Sequence, residues 1–270
     1  MQKCLYYLFF LLHFSAQAQN SCSVNNQTFT AGEELQYKVH YSWGAIWLSS
    51  AEGGFKTEFK ELNGKIFYHF IGYGGTYPRY DWIYKVNDKY ESYADTATLK
   101  PLRFTREANE GSSYTYDDYV FSQRKNKIYT NSKRNKKPGT LDSINSGPCT
   151  IDILTAVSHV RCMDFSQYKY NDTIPITFVL DGKIYVSYIR YLGKEVIKSE
   201  LLGKVRCIKF RPNLIEGSLF KGGEGMTVWI TDDKNRMPVY VETPILVGTI
   251  KVSLFKYIGL RNPIDCIVPK

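Results

Sequence analysis

The chain has 270 residues, 43% of them hydrophobic and 15% aromatic, which excludes a disordered or low-complexity polypeptide. Lys and Arg outnumber Asp and Glu by 35 to 26, a formal charge of +9 that points toward anionic partners. The length suits one large all-β domain or two small ones.

In chain order, the first feature is a basic start at Lys3, an apolar run CLYYLFFLLHF and the small-residue pattern Ala16-Gln17-Ala18. Together these predict a signal peptide over residues 1–18, cleaved after Ala18, followed by a single β-rich domain over residues 19–270. The apolar run is too short to span a bilayer and no later stretch is longer, so no transmembrane segment is expected. Cleavage removes only Lys3 among the charged residues. An exported, periplasmic or extracellular location follows, which removes nucleic acid from the expected partners. Lipidation at Cys22 is disfavoured because Gln19-Asn20-Ser21 lacks the apolar residue such a site prefers.

Cys22, Cys149, Cys162, Cys207 and Cys266 remain, an odd set that leaves at least one thiol outside an intramolecular disulfide. Domain termini are often close together, so the expected bridge is Cys22–Cys266. No CxxC occurs, which leaves zinc-ribbon and thioredoxin-like chemistry without support.

The rest of the chain is dominated by period-two alternation. ELQYKVHYSW sets Leu35, Tyr37, Val39, Tyr41 and Trp43 on one face of a strand and Gln36, Lys38, His40 and Ser42 on the other. Asn63-Gly64 and Asp181-Gly182 each separate two alternating runs and suit type I′ hairpin turns. Asn87-Asp88 predicts a third hairpin. PLRFTRE, SYTYDDYVFSQ, NKIYTNSK, KVRCIKFRP and ILVGTIKVSLF add further strands, about a dozen in all. Only TIDILTAVSHVRCMDF breaks the pattern, with Ile153, Val157 and Val160 at helical spacing, Thr150 placed to cap the start and Asp152 in the first turn. The expected fold is mainly β, a curved antiparallel sheet or incomplete β-barrel with one helix packed against it.

Several stretches carry possible chemistry. Residues 226–243, MTVWITDDKNRMPVYVET, contain the adjacent acids Asp232 and Asp233, but these stand where the chain reverses between two strands, and Asp and Asn favour such turns. The basic run 124–139, RKNKIYTNSKRNKKPG, reads either as an anionic-glycan or membrane site or, more simply, as a solvated edge hairpin. The loop FIGYGGTYPRYDW offers Tyr73, Tyr77, Arg79, Tyr80 and Trp82 as ligand-binding residues, aromatic faces beside a guanidinium; its plainer reading is core packing. Trp229 and Tyr240, opposed across the late hairpin, complete the candidate binding set.

His159 and Cys162 share a helix face but lack further ligands or an orienting acid, so Cys162 reads as a buried apolar residue. GGEG at 222–225 lacks the lysine of a phosphate loop, and no GxSxG or HExxH occurs. Asp95-Thr96-Ala97, Asp142-Ser143-Ile144 and Asp172-Thr173-Ile174 resemble O-glycosylation acceptor sites of exported Bacteroidetes proteins. No catalytic residue, metal site or cofactor is assigned.

As an ordered set, AGEELQYKVHYSWGAIWLSSAEGGF, CTIDILTAVSHVRCMDF, LGKVRCIKFRP and VWITDDKNRMPVYVE resemble the bacterial exported domain-of-unknown-function family 3108 over roughly residues 29–256. The resemblance implies a mainly antiparallel β architecture in a secreted or periplasmic protein and transfers no catalytic residues. The resulting expectation is a non-enzymatic binding or carrier protein for an amphipathic lipid or anionic glycan of the cell envelope. Two alternatives stand beside it. One is an enzyme on envelope polysaccharide, using Tyr80, Asp81 or the Tyr114–Asp118 cluster; the other is a structural module that presents a sheet edge or the basic hairpin to a partner.

Overall fold

The computed structural model describes residues 24–147, 149–216 and 222–269. Fifteen strands form one sheet: β1 (Glu33–Trp43), β2 (Ile46–Leu62), β3 (Lys65–Thr76), β4 (Val86–Asp95), β5 (Pro101–Glu110), β6 (Ser113–Ser122), β7 (Lys127–Arg134), β8 (Thr140–Asn145), β9 (Thr150–Ile151), β10 (Thr173–Leu180), β11 (Lys183–Ser199), β12 (Gly203–Pro212), β13 (Thr227–Thr231), β14 (Pro238–Pro244) and β15 (Thr249–Ile258). The helix α1 spans Ile153–Arg161. The count exceeds the expected dozen; β8 and β9, the two edge strands, are not among the predicted runs.

The spatial order is β8 through β1 in reverse, then β15 down to β9, with every neighbouring pair antiparallel except β9 and β10. β8 and β9 are the two edges, so the ladder does not close into a barrel. Register shifts after Gln36, Val39, Tyr93, Tyr191 and Trp229 bend the strands, and such bulges increase local twist. The sheet curls until its two arms touch. Val179 of β10 joins Phe104, Tyr119 and Ile128 of the opposite arm in one core cluster with Phe29, Phe70 and Leu154. At the same seam the Gly182 N–H donates to the Tyr119 hydroxyl at 2.9 Å, and Arg106 and Arg134 both reach Asp181.

The turns at Asn63-Gly64 (φ 51° and 73°) and Asp181-Gly182 (φ 50° and 69°) have the paired positive φ of type I′. Asn87-Asp88 is not a turn. Both residues lie inside β4, paired with Gly75 and Gly74 of β3, and the reversal occurs over residues 77–85. Asp232 and Asp233 are in the β13–β14 turn, where Asp233 Oδ1 accepts from the Thr231 hydroxyl and from the Asn235 and Arg236 N–H groups.

The helix start and faces differ from their periodic reading. Asp152, not Thr150, is the N-cap: its Oδ1 accepts from the Leu154 and Thr155 N–H groups at 2.9 Å, while Thr150 is committed to pairing with β10. Thr155, Ser158, His159 and Arg161 are buried while Val157 is 42% exposed. The inversion is possible because each of these buried side chains makes at least one hydrogen bond. The Ser158 hydroxyl donates to the Leu154 carbonyl, the His159 ring meets the Leu99 carbonyl, and Arg161 meets Glu33.

The expected Cys22–Cys266 bridge is not formed: Cys22 lies outside the described residues, and Cys266 is a free, fully buried thiol packed with Cys207, Val205 and Leu35. Its segment is pinned by the Arg206 N–H, which donates to the Cys266 carbonyl. Among the described residues Cys149 is disulfide-bonded, and Cys162 and Cys207 are free like Cys266.

Candidate functional site

The concave side of the central strands is not filled by side chains. A cavity of about 750 Å³ lies against β1, β2, β3, β14 and β15, with Val157 and Arg161 of the helix at its inner end. The period-two alternation of β1 places Leu35, Tyr37, Val39 and Tyr41 on its wall. Register extends this wall sideways: Val241, Val252, Val39, Ala51 and Thr76 form one rung, and Thr243, Ile250, Tyr41 and Leu48 the next.

The space itself has a local cause in the sequence. Where β2 and β3 run together, Gly53 opposes Gly74, which in turn opposes Asp88, so two adjoining strands present no side chain at this level. A Cβ on Gly53 would meet the Tyr73 carbonyl oxygen at 2.6 Å, which makes glycine obligatory there. A Cβ on Gly74 meets nothing closer than 3.8 Å. One rung away, Gly72 faces Leu154 of the helix at 3.0 Å, where the filled core begins.

Polar groups at the inner end are few. Arg161 is held by Glu33, its Nη2 also donates to the Asn235 carbonyl, and its Nε has no hydrogen-bond partner. The Tyr37 hydroxyl donates to the Pro238 carbonyl at 3.2 Å, and burial pushes its acidity well below that of a free tyrosine. A second recess of about 270 Å³ adjoins at Gly74 and Gly75, lined among others by Glu52, Tyr77, Asn87 and Asp88. Burial, with Glu110 nearby, raises the Asp88 carboxyl to about 6.

The residues singled out from sequence divide among three places. Tyr80 lines the cavity; Tyr73 borders both recesses, but its ring covers Gly54 and its hydroxyl donates to Glu34, away from the cavity. Tyr77 borders the smaller recess, and exposed Arg79 lies over the rings of Tyr77 and Tyr80 at 5.3 and 4.9 Å. Trp82 projects into solvent, 82% exposed. Trp229 and Tyr240 do pair, with ring centroids 5.4 Å apart. Their rung runs Lys38, Ser253, Tyr240, Trp229, Lys209, on the opposite face from the Val39–Val252–Val241 rung that walls the cavity. Sequence reasoning missed the aliphatic wall and the facing glycines; the signal was AEGGF and GYGGT, two glycine pairs brought into register by the Asn63-Gly64 hairpin.

The acids considered for catalysis are engaged in ion pairs. Asp81 accepts from the Thr76 hydroxyl and pairs with Lys85, Asp117 is sealed between Arg106 and Arg134, and Asp118 takes a two-point contact from Arg103. His159 and Cys162 diverge to different partners, Leu99 and Asn26. Among the described residues no group of His, Cys, Asp and Glu is arranged to hold a metal ion, and no helix is long and apolar enough to cross a membrane.

The family model described as "Protein of unknown function (DUF3108)" matches residues 36–254. A solved structure, the crystal structure of a beta-barrel-like protein of domain of unknown function DUF1849 from Brucella abortus, is similar with a TM-score of 0.54 and 9% identity. The match covers 87% of this chain and 98% of that one, a likeness of fold alone. No curated protein matches.

Proposed function

The chain belongs to the DUF3108 family of proteins of unknown function, and for it we propose a non-enzymatic binding or carrier role in which the cavity takes the apolar part of a lipid-like amphiphile. One observation carries the reading: an unfilled cavity of about 750 Å³ whose wall is built from Leu35, Val39, Val241, Ile250 and Val252. That volume falls within the range of small-molecule sites, which are mostly apolar with a few placed polar groups. A glycan would need free hydrogen-bonding side chains along this wall; the Tyr37 hydroxyl is committed to the Pro238 carbonyl, and Leu35, Val39, Val241, Ile250 and Val252 offer none. The export expected from residues 1–18 would place such a carrier in the cell envelope.

The test is displacement of an environment-sensitive hydrophobic dye, with native mass spectrometry of the purified protein for a co-purifying amphiphile. Gly74→Leu projects a side chain into the cavity from a position where the Cβ itself is accommodated. It is expected to weaken dye and long-chain alcohol binding by about tenfold or more with an unchanged circular dichroism spectrum. Wild-type protein that takes up neither dye nor amphiphile sinks the proposal.

A further inference from the structure

The connections at the two ends of the strands differ in character. At the end away from the cavity mouth, the β2–β3 and β13–β14 turns are built on Asn63-Gly64 and Asp232–Arg236, and the β4–β5 turn on Thr96–Lys100, whose one large apolar residue, Leu99, is fully buried. At the mouth, three neighbouring connections are rich in aromatic and aliphatic residues. Residues 41–51, YSWGAIWLSSA, and 243–250, TPILVGTI, contain no charged residue, and 77–85, YPRYDWIYK, contains only Arg79, Asp81 and Lys85. Trp43 and Trp47 are each 56% exposed, Trp82 82% and Leu246 63%.

These three connections form one surface. Ser42 of β1 pairs with Thr249 of β15, the Tyr77 N–H donates to the Ser50 carbonyl at 3.0 Å, and Arg79 donates to the Ser49 carbonyl at 3.4 Å. Behind them, Tyr41, Leu48, Ile83 and Ile245 line the cavity. The exposed side chains are therefore a collar continuous with the cavity wall.

The chemistry of the collar selects its partner. Contiguous exposed apolar surface at the mouth of an apolar cavity marks a contact site, and tryptophan with neighbouring cations is the composition that settles at a membrane–water interface. Lys251 lies 5.1 Å over the Trp47 ring and 3.8 Å from the Glu242 carboxylate. The exposed guanidinium of Arg79 has no carboxylate on it among the described residues, whereas the one acid of the three segments, Asp81, is occupied by Thr76 and Lys85. What the collar offers is indole and one guanidinium, that of Arg79, without a carboxylate partner among the described residues.

We propose that this end of the protein docks on the surface of an anionic phospholipid bilayer, with Trp43, Trp47 and Trp82 at headgroup depth and the cavity opening toward the acyl chains. Loading of the cavity from the bilayer rests on the carrier reading above; docking itself does not.

The experiment is co-sedimentation of the full chain with phosphatidylcholine vesicles, with and without phosphatidylglycerol, read in parallel by tryptophan emission. Three of the four tryptophans are in the collar, so Trp229→Phe removes the signal from elsewhere. Expected are pelleting with the anionic vesicles, a blue shift retained in Trp229→Phe, and at least about tenfold weaker partitioning when Trp43, Trp47 and Trp82 are all replaced by Ser. Trp82→Ser alone, at the most exposed of the three, keeps the test valid if the triple variant misfolds, and is expected to weaken partitioning by about threefold or more. Partitioning unchanged by these substitutions, or no pelleting with either vesicle, overturns docking. So does a wild-type oligomer that the triple variant dissociates without any vesicle binding, which would assign the collar to a second copy of the chain. Vesicle binding without dye uptake would sink the carrier reading and leave docking intact; dye uptake without vesicle binding would do the reverse.

Discussion

Arg161 and Glu33 are joined by two hydrogen bonds, Nη1 to Oε1 at 2.6 Å and Nη2 to Oε2 at 2.9 Å, with the two side chains 2% and 0% exposed. The pair links the last residue of the helix to the first residue of β1 at the inner end of the cavity. The guanidinium also lies 5.1 Å over the Phe29 ring. Removing one partner strands a buried charge, so Arg161→Met is expected to cost about 3–5 kcal/mol in denaturant unfolding. Replacing both, as Glu33→Leu with Arg161→Met, is expected to recover most of that loss, because well-packed apolar groups avoid the desolvation penalty. A double variant as unstable as the single one would mean that the Asn235 carbonyl and the Phe29 ring, not Glu33, hold the arginine in place.

Asp88 makes stability fall as pH rises. Burial and Glu110 raise its folded carboxyl from 3.8 to about 6. Between those values the folded chain keeps a proton that the unfolded chain has released, so stability declines across this window, and the penalty is fully present above pH about 6. Solvent screening of this partly buried group reduces the penalty to about 1–2 kcal/mol. Asp88→Asn preserves the acceptor for the Asn109 N–H. It is expected to melt higher than wild type at pH 8 and equally at pH 3.5; equal melting at both would show that the carboxylate is hydrated.

Tyr119 closes the curl of the sheet. Its hydroxyl accepts the Gly182 N–H across a seam that no ladder bridges. Tyr119→Phe keeps the ring in its core cluster and leaves that N–H without its partner, at an expected cost of about 1–2 kcal/mol. Amide exchange at Gly182 is expected to accelerate more than at Leu180, within the β10–β11 ladder; uniform acceleration would instead indicate global destabilisation.

Local features were legible where they depend on a few adjacent residues. The two hairpins at Asn63-Gly64 and Asp181-Gly182, the turn at Asp232-Asp233 and the strand character of β1 follow from turn chemistry and period-two alternation, and the family resemblance is met by the match over residues 36–254. Asn87-Asp88 misled because Asn and Asp favour turns on average, yet here pairing with Gly75 and Gly74 outweighs that preference. The helix faces misled because periodicity counts polar residues as exposed, whereas His159 and Arg161 find partners in Leu99 and Glu33, far away in the chain.

By itself the sequence determined the class of the protein: antiparallel β, one helix, a match to DUF3108, and an aromatic-rich segment near residues 70–82. Alternation reports that a strand has two faces, because side chains point alternately; it does not report what lies opposite either face. That was decided by the tertiary structure. Register set Gly53 against Gly74 and so opened the cavity, sent Trp229 and Tyr240 to the face away from it, and gathered Trp43, Trp47 and Trp82 around its mouth. Each of these outcomes depends on which residues of distant strands stand side by side, and that information appears only when the sheet curls.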